Sequence, residues 1–102
     1  MDRDQILHHL RGHIAALREL GVRALAIFGP AARNEGQPGS PVDFLIQFDP
    51  PHTFDQFLEV KRYLTDQLQR PIELVVASPY HPEIRPYIEG DAVEIIGLEI
   101  GD

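Results

Sequence analysis

Residues 28 to 46 run Phe-Gly-Pro-Ala-Ala-Arg-Asn-Glu-Gly-Gln-Pro-Gly-Ser-Pro-Val-Asp-Phe-Leu-Ile. A turn at Gly29 leaves one apolar run and precedes a short polar segment, the layout of a loop whose backbone N–H groups can approach phosphate. Asp43 then opens a second apolar run in the triplet Pro41-Val42-Asp43, and Glu73 lies in a third. Carboxylates are the oxygen ligands that hard divalent cations prefer. The chemistry within reach is therefore phosphate held by a turn, with acidic side chains beside it. Each residue also has a plain structural reading. Asp43 is a solvated charge at a strand start, Glu73 the polar residue of a half-exposed strand, Gly29 a turn glycine and Arg33 a surface arginine.

The elements that must position these residues follow from periodicity. Ile6, Leu10, His13, Leu17 and Leu20, flanked by Ile14, recur at helical steps, so one amphipathic helix is expected over residues 4 to 20, ended by Gly21. Ala24 to Phe28 reads as a buried strand, and Pro30 suits the first turn of a short helix. Residues 34 to 41, rich in Gly and Pro, read as a loop. Val42 to Phe48 alternates, with Val42, Phe44, Ile46 and Phe48 on one face and Asp43, Leu45, Gln47 and Asp49 on the other. Thr53 and Gln56 form a capping box for a helix to about Gln69, with Phe57, Val60, Leu64 and Leu68 on one face. Pro71 prevents that helix from continuing. Ile72 to Ala77 is a further strand, with Ile72, Leu74 and Val76 opposite Glu73, Val75 and Ala77. A short helix is expected within residues 79 to 89. Val93 to Ile100 reads as a last strand or a docking tail. Strands interleaved with helices imply an α/β (α+β) domain: a small mixed sheet covered by helices.

Bulk properties narrow the function further. A chain of 102 residues is expected to form one domain over residues 1–102. Its net charge is −7, with 9 basic against 16 acidic residues. Such a surface is poor at neutralising phosphate along a nucleic acid, so no direct nucleic-acid role is expected. It suits a basic protein partner or metal ions instead. Cysteine is absent, which excludes disulfides and thiolate metal sites. No apolar run approaches the roughly 20 residues of a membrane helix and no signal peptide is visible, so a cytoplasmic protein is expected. His9 and His13 have the i, i+4 spacing of a zinc pair, but no third ligand accompanies them and a structural role is expected. The Phe54, Phe57 and Tyr63 cluster reads as core packing.

The motif layout resembles the nucleotidyltransferase superfamily typified by DNA polymerase beta, whose signature is Gly-Ser, ten residues, then Asp-x-Asp. Further stretches resemble its minimal nucleotidyltransferase branch, often paired with a HEPN-domain toxin. Arg33-Asn34-Glu35 is similar to that branch's Arg-Gly-Glu. Phe48 to Phe54 is similar to the turn after its carboxylate strand. Arg70-Pro71-Ile72-Glu73-Leu74-Val75 is similar to its Arg-Pro-Val-Asp-Leu-Val, and Arg85-Pro86-Tyr87-Ile88 to its closing helix.

The resemblance implies a nucleotidyltransferase fold in which carboxylates on neighbouring strands hold magnesium and a Gly-Ser turn receives the triphosphate of ATP. On this chain it assigns the second carboxylate to Asp43 and the third to Glu73, as metal ligands and catalytic residues, with Gly29 and Arg33 binding nucleotide. Pro30 stands where the Ser is expected and Pro41 where the first Asp is expected. Losing a ligand and a phosphate donor costs on the order of 10² to 10³ in rate for each such interaction. The implied reading is a binding subunit, an antitoxin-like partner of a HEPN-type toxin, with an impaired site. Alternatives are an active magnesium-dependent enzyme moving AMP from ATP to a hydroxyl of a protein partner, or a nucleotide sensor without turnover. A homodimer through Val93 to Ile100 is a further expectation.

Overall fold

The computed structural model describes residues 2–37, 39–77 and 92–97. The short helix expected within residues 79 to 89 and the Arg85–Ile88 motif lie outside the described residues.

The chain enters through α1 (Arg3–Arg11), capped by Asp2, whose side chain accepts from the Gln5 amide while the Gln5 side chain accepts from the Asp2 amide. The single helix expected over residues 4 to 20 is in fact two. Helix α1 stops at Gly12, and α2 (Ile14–Glu19) begins after His13. Glycine costs roughly 0.5–1 kcal/mol in a helix interior. The amides of Gly12 and His13 close a turn onto His9 and Leu10 instead. The break redirects the chain so that Leu10 and Leu17 are both fully buried in one core.

Strand β1 (Val22–Phe28) is followed directly by the single turn α3 (Gly29–Ala32), with Pro30 at its start as expected. Strand β2 (Val42–Phe48) has the expected bounds. Helix α4 (Phe54–Leu68) carries the expected Thr53–Gln56 capping box and ends where Gln69 turns left-handed at φ 54°. Strand β3 (Ile72–Val76) follows, and β4 (Val93–Ile96) closes the sheet in the order β3-β2-β1-β4. Strand β1 runs antiparallel to both β2 and β4, whereas β2 and β3 are parallel. That parallel pair needs a crossover, which α4 supplies.

One face of the sheet builds the main core. Val22, Leu25 and Ile27 of β1 join Val42, Phe44, Ile46 and Phe48 of β2, covered by Ile6, Leu10 and Leu17 and by Val60, Leu64 and Leu68 of α4. On the opposite face the described residues form a small cluster of Leu45 and Ala77 with Phe28 and Ala92. Phe57 and Tyr63 pack against the main core as expected, but Phe54 is 72% exposed. It occupies the first position of α4, where the helix has not yet turned its side chains onto the sheet. Among the described residues no helix is long and apolar enough to cross a membrane.

Candidate functional site

The second face of the sheet carries Asp43 and Glu73. They are direct partners in the parallel ladder of β2 and β3, and Asp43 faces Phe28 across the antiparallel ladder on its other side. Both carboxylates therefore sit near the starts of adjacent strands, which the pairing of Val42 with Ile72 fixes. The ladder opens with the Val42 amide donating to the Pro71 carbonyl at 2.9 Å.

Gly29 completes the constellation. Its φ is +72°, a conformation that favours glycine, and a Cβ built on it would lie 2.7 Å from Asp43 Oδ2. The absence of a side chain thus lets the turn after β1 close onto the Asp43 carboxylate. Burial, the hydrogen bond with Glu73 and the Glu73 charge together push the Asp43 carboxyl from its ordinary 3.8 up to about 6. Burial and a like charge alongside both disfavour the ionised form.

The other predicted residues lie at the rim. Arg33 caps the end of α3, exposed, and its Nε donates to Glu35 Oε2 at 2.9 Å, a local ion pair. Pro30 and Pro41 are exposed. Neither ring offers an N–H, a hydroxyl or a carboxylate, so neither side chain can donate to phosphate or ligate a cation. Among the described residues no group of three or more His, Asp or Glu could hold a metal ion. Among the described residues, Asp43 and Glu73 stand as a pair.

His9 and His13 have a structural setting. His9 Nε2 meets Gln67 Oε1 at 2.9 Å, His13 Nδ1 meets the Tyr63 hydroxyl at 2.6 Å, and the two rings lie 4.8 Å apart. They tie the first two helices to α4.

A profile of the nucleotidyltransferase domain matches residues 10–95. The chain belongs to this nucleotidyltransferase family. Within it, the chain is a minimal nucleotidyltransferase. It is 34% identical over 93 residues to a candidate protein adenylyltransferase of Methanocaldococcus jannaschii, MJ0126, covering 89% of this chain and 95% of that one. It is also 34% identical over 76 residues to the protein adenylyltransferase MntA of Thermococcus cleftensis, covering 74% of this chain and 77% of that one. A solved structure described as a candidate minimal nucleotidyltransferase superposes with a TM-score of 0.73 at 25% identity, covering 91% and 95% of the two chains. The MNT antitoxin fold recurs in a complex with an AMPylated HEPN toxin of Shewanella oneidensis, at a TM-score of 0.60 and 14% identity, covering 91% of this chain and 74% of that one.

For a minimal nucleotidyltransferase, the sequence reading overlooked one conspicuous side chain. Arg70 enters it only as the first residue of a motif. In the structure its Nε and Nη2 donate to the Ser40 carbonyl at 3.1 and 2.8 Å, and Nη2 also donates to Ser40 Oγ at 3.1 Å. The contact spans thirty residues, and no spacing rule signals it. The only sequence clue is an arginine immediately before the proline that precedes a strand.

Proposed function

We propose that this minimal nucleotidyltransferase acts as a binding subunit, an antitoxin-like partner of a HEPN-type toxin, with an impaired nucleotidyl-transfer site. The observation that carries the reading is the adjacent pair of Asp43 and Glu73, with exposed prolines at 30 and 41 where the signature has a serine and a first aspartate. The fold neighbour from Shewanella oneidensis, an MNT antitoxin with its HEPN toxin, supports the partner class. The net charge of −7 suits a partner with a basic face.

A second reading is retained because Asp43 and Glu73 face each other directly and relatives bear the name protein adenylyltransferase. Two adjacent carboxylates fit magnesium, which commonly takes one or two protein carboxylates and completes its shell with water and substrate phosphate. In this reading Asp43 and Glu73 would hold the ion and Gly29 and Arg33 would receive the phosphates of ATP. The ion would supply charge neutralisation at the transferring phosphoryl group. The chain's own contribution is to orient: the Gly29 turn closes against the Asp43 carboxylate, and strand pairing sets Asp43 opposite Glu73.

Titration calorimetry with ATP and magnesium separates the two, run on the natural chain and on a Pro30→Ser, Pro41→Asp double variant. The first reading expects a silent natural chain and a binding variant, together with co-purification of a HEPN partner encoded alongside. Binding by the natural chain, followed by a gain of AMP mass on the partner, would establish the second reading and overturn the first.

A further inference from the structure

We infer that Arg70 is the positioning residue of the carboxylate site: its guanidinium clamps the segment before β2 onto the start of β3 and so holds Asp43 opposite Glu73. The inference rests on the reading that this pair is the site, but its evidence is independent of any metal or nucleotide.

The physical need arises from the two prolines that precede the carboxylate strands. Pro41 stands before Val42 and Asp43, and Pro71 stands before Ile72 and Glu73. A proline has no N–H, so neither strand has a backbone donor at the residue just before it begins. A backbone bond from the Val42 amide to the Pro71 carbonyl, at 2.9 Å, closes that end. Arg70 supplies donors where the backbone cannot. Its half-buried guanidinium makes three hydrogen bonds to Ser40, two of them to the carbonyl. Ser40 passes the restraint on, since its hydroxyl and its amide both donate to the Gln37 carbonyl, at 2.7 and 3.0 Å. Gly36 leaves room for this approach: a Cβ there would lie 3.2 Å from Ser40 Oγ and 3.6 Å from Arg70 Nη2.

Register makes the clamp functionally important. Side chains alternate along a strand, so a slip of one residue at the mouth of β2 would turn Asp43 away from Glu73 and towards the core face. Arginine is suited to the task because its planar fork fixes direction as well as distance, which a lysine ammonium does not.

Amide hydrogen exchange on the full chain tests the inference, comparing the natural protein with Arg70→Ala, Arg70→Lys and Ser40→Ala. Loss of charge-assisted bonds of this kind corresponds to about 10- to 100-fold faster opening. Arg70→Ala is expected to accelerate exchange at Val42 by that factor, with the Leu64 amide in α4 unchanged. Arg70→Lys is expected to fall between, and Ser40→Ala to act weakly because the carbonyl contacts persist. Unchanged Val42 exchange, or acceleration at Val42 and Leu64 by the same factor, would overturn the inference. Manganese titration of the same proteins adds a separate readout. Where the natural chain binds manganese, Arg70→Ala should weaken it about tenfold. A natural chain that binds none counts against the metal-site reading, while the exchange result still decides the role of Arg70.

Discussion

The two ends of strand β2 and the two faces it presents obey different rules. Facing α4, Phe44 and Ile46 meet Val60 and Leu64 in a core where propensity, capping and burial agree. Facing away, at the strand's start, Asp43 lies against Glu73 and against a left-handed Gly29, with a proline just before each of the two strands. The first arrangement lowers the free energy of the fold. The second holds like charges together and depends on that fold to tolerate it. Local rules are violated at the candidate site, and the intact core bears the cost.

The largest effect should come from breaking the consistent side of this contrast. Leu64→Ala removes a fully buried side chain from α4. The expected loss is about 2–5 kcal/mol in denaturant unfolding, enough to consume much of a small domain's stability. A loss below 1 kcal/mol would mean that the core face is looser than its packing indicates.

A smaller effect is expected from Gly29→Ala at the other side. The new methyl would collide with Asp43 Oδ2 and the backbone would keep φ at +72°. Together these should cost about 1–3 kcal/mol. A double variant with Asp43→Ala divides the two causes, because removing the carboxylate relieves the collision and leaves the backbone strain. Full additivity of the two substitutions would show that the carboxylate does not seat against the turn.

How far the sequence revealed this contrast depends on the range of each signal. The β2 alternation and the Thr53–Gln56 capping box are local, and both appear in the structure with the expected residues. The break between α1 and α2 was hidden because Gly12 interrupts a hydrophobic stripe that continues in phase on both sides. Phe54 misled because aromatic character argues for burial, while its place at the first helical position leaves it exposed at 72%. At the site, Asp43 and Glu73 were legible as types, and their pairing required the register of two strands separated by α4. The Arg70 clamp was illegible, since arginine side chains reach partners that sequence distance does not constrain.

The smallest effect concerns charge at the carboxylate pair. A carboxyl raised from 3.8 to about 6 binds more proton in the folded than in the unfolded chain between those values, so its contribution to stability falls as pH rises through that window. Asp43→Asn abolishes the dependence and should leave stability near pH 3.5 unchanged while raising it modestly above pH 6, by about 0.5 kcal/mol after allowance for solvent screening. Glu73→Gln acts on the cause and not on the group itself. It removes the neighbouring charge and leaves the burial that contributes most, so the Asp43 carboxyl, followed by carbon NMR, should titrate below 6 yet remain above its ordinary value. An Asp43 titration unmoved by Glu73→Gln would mean that the two carboxylates do not communicate. The contrast between the two faces would then reduce to a difference in burial alone.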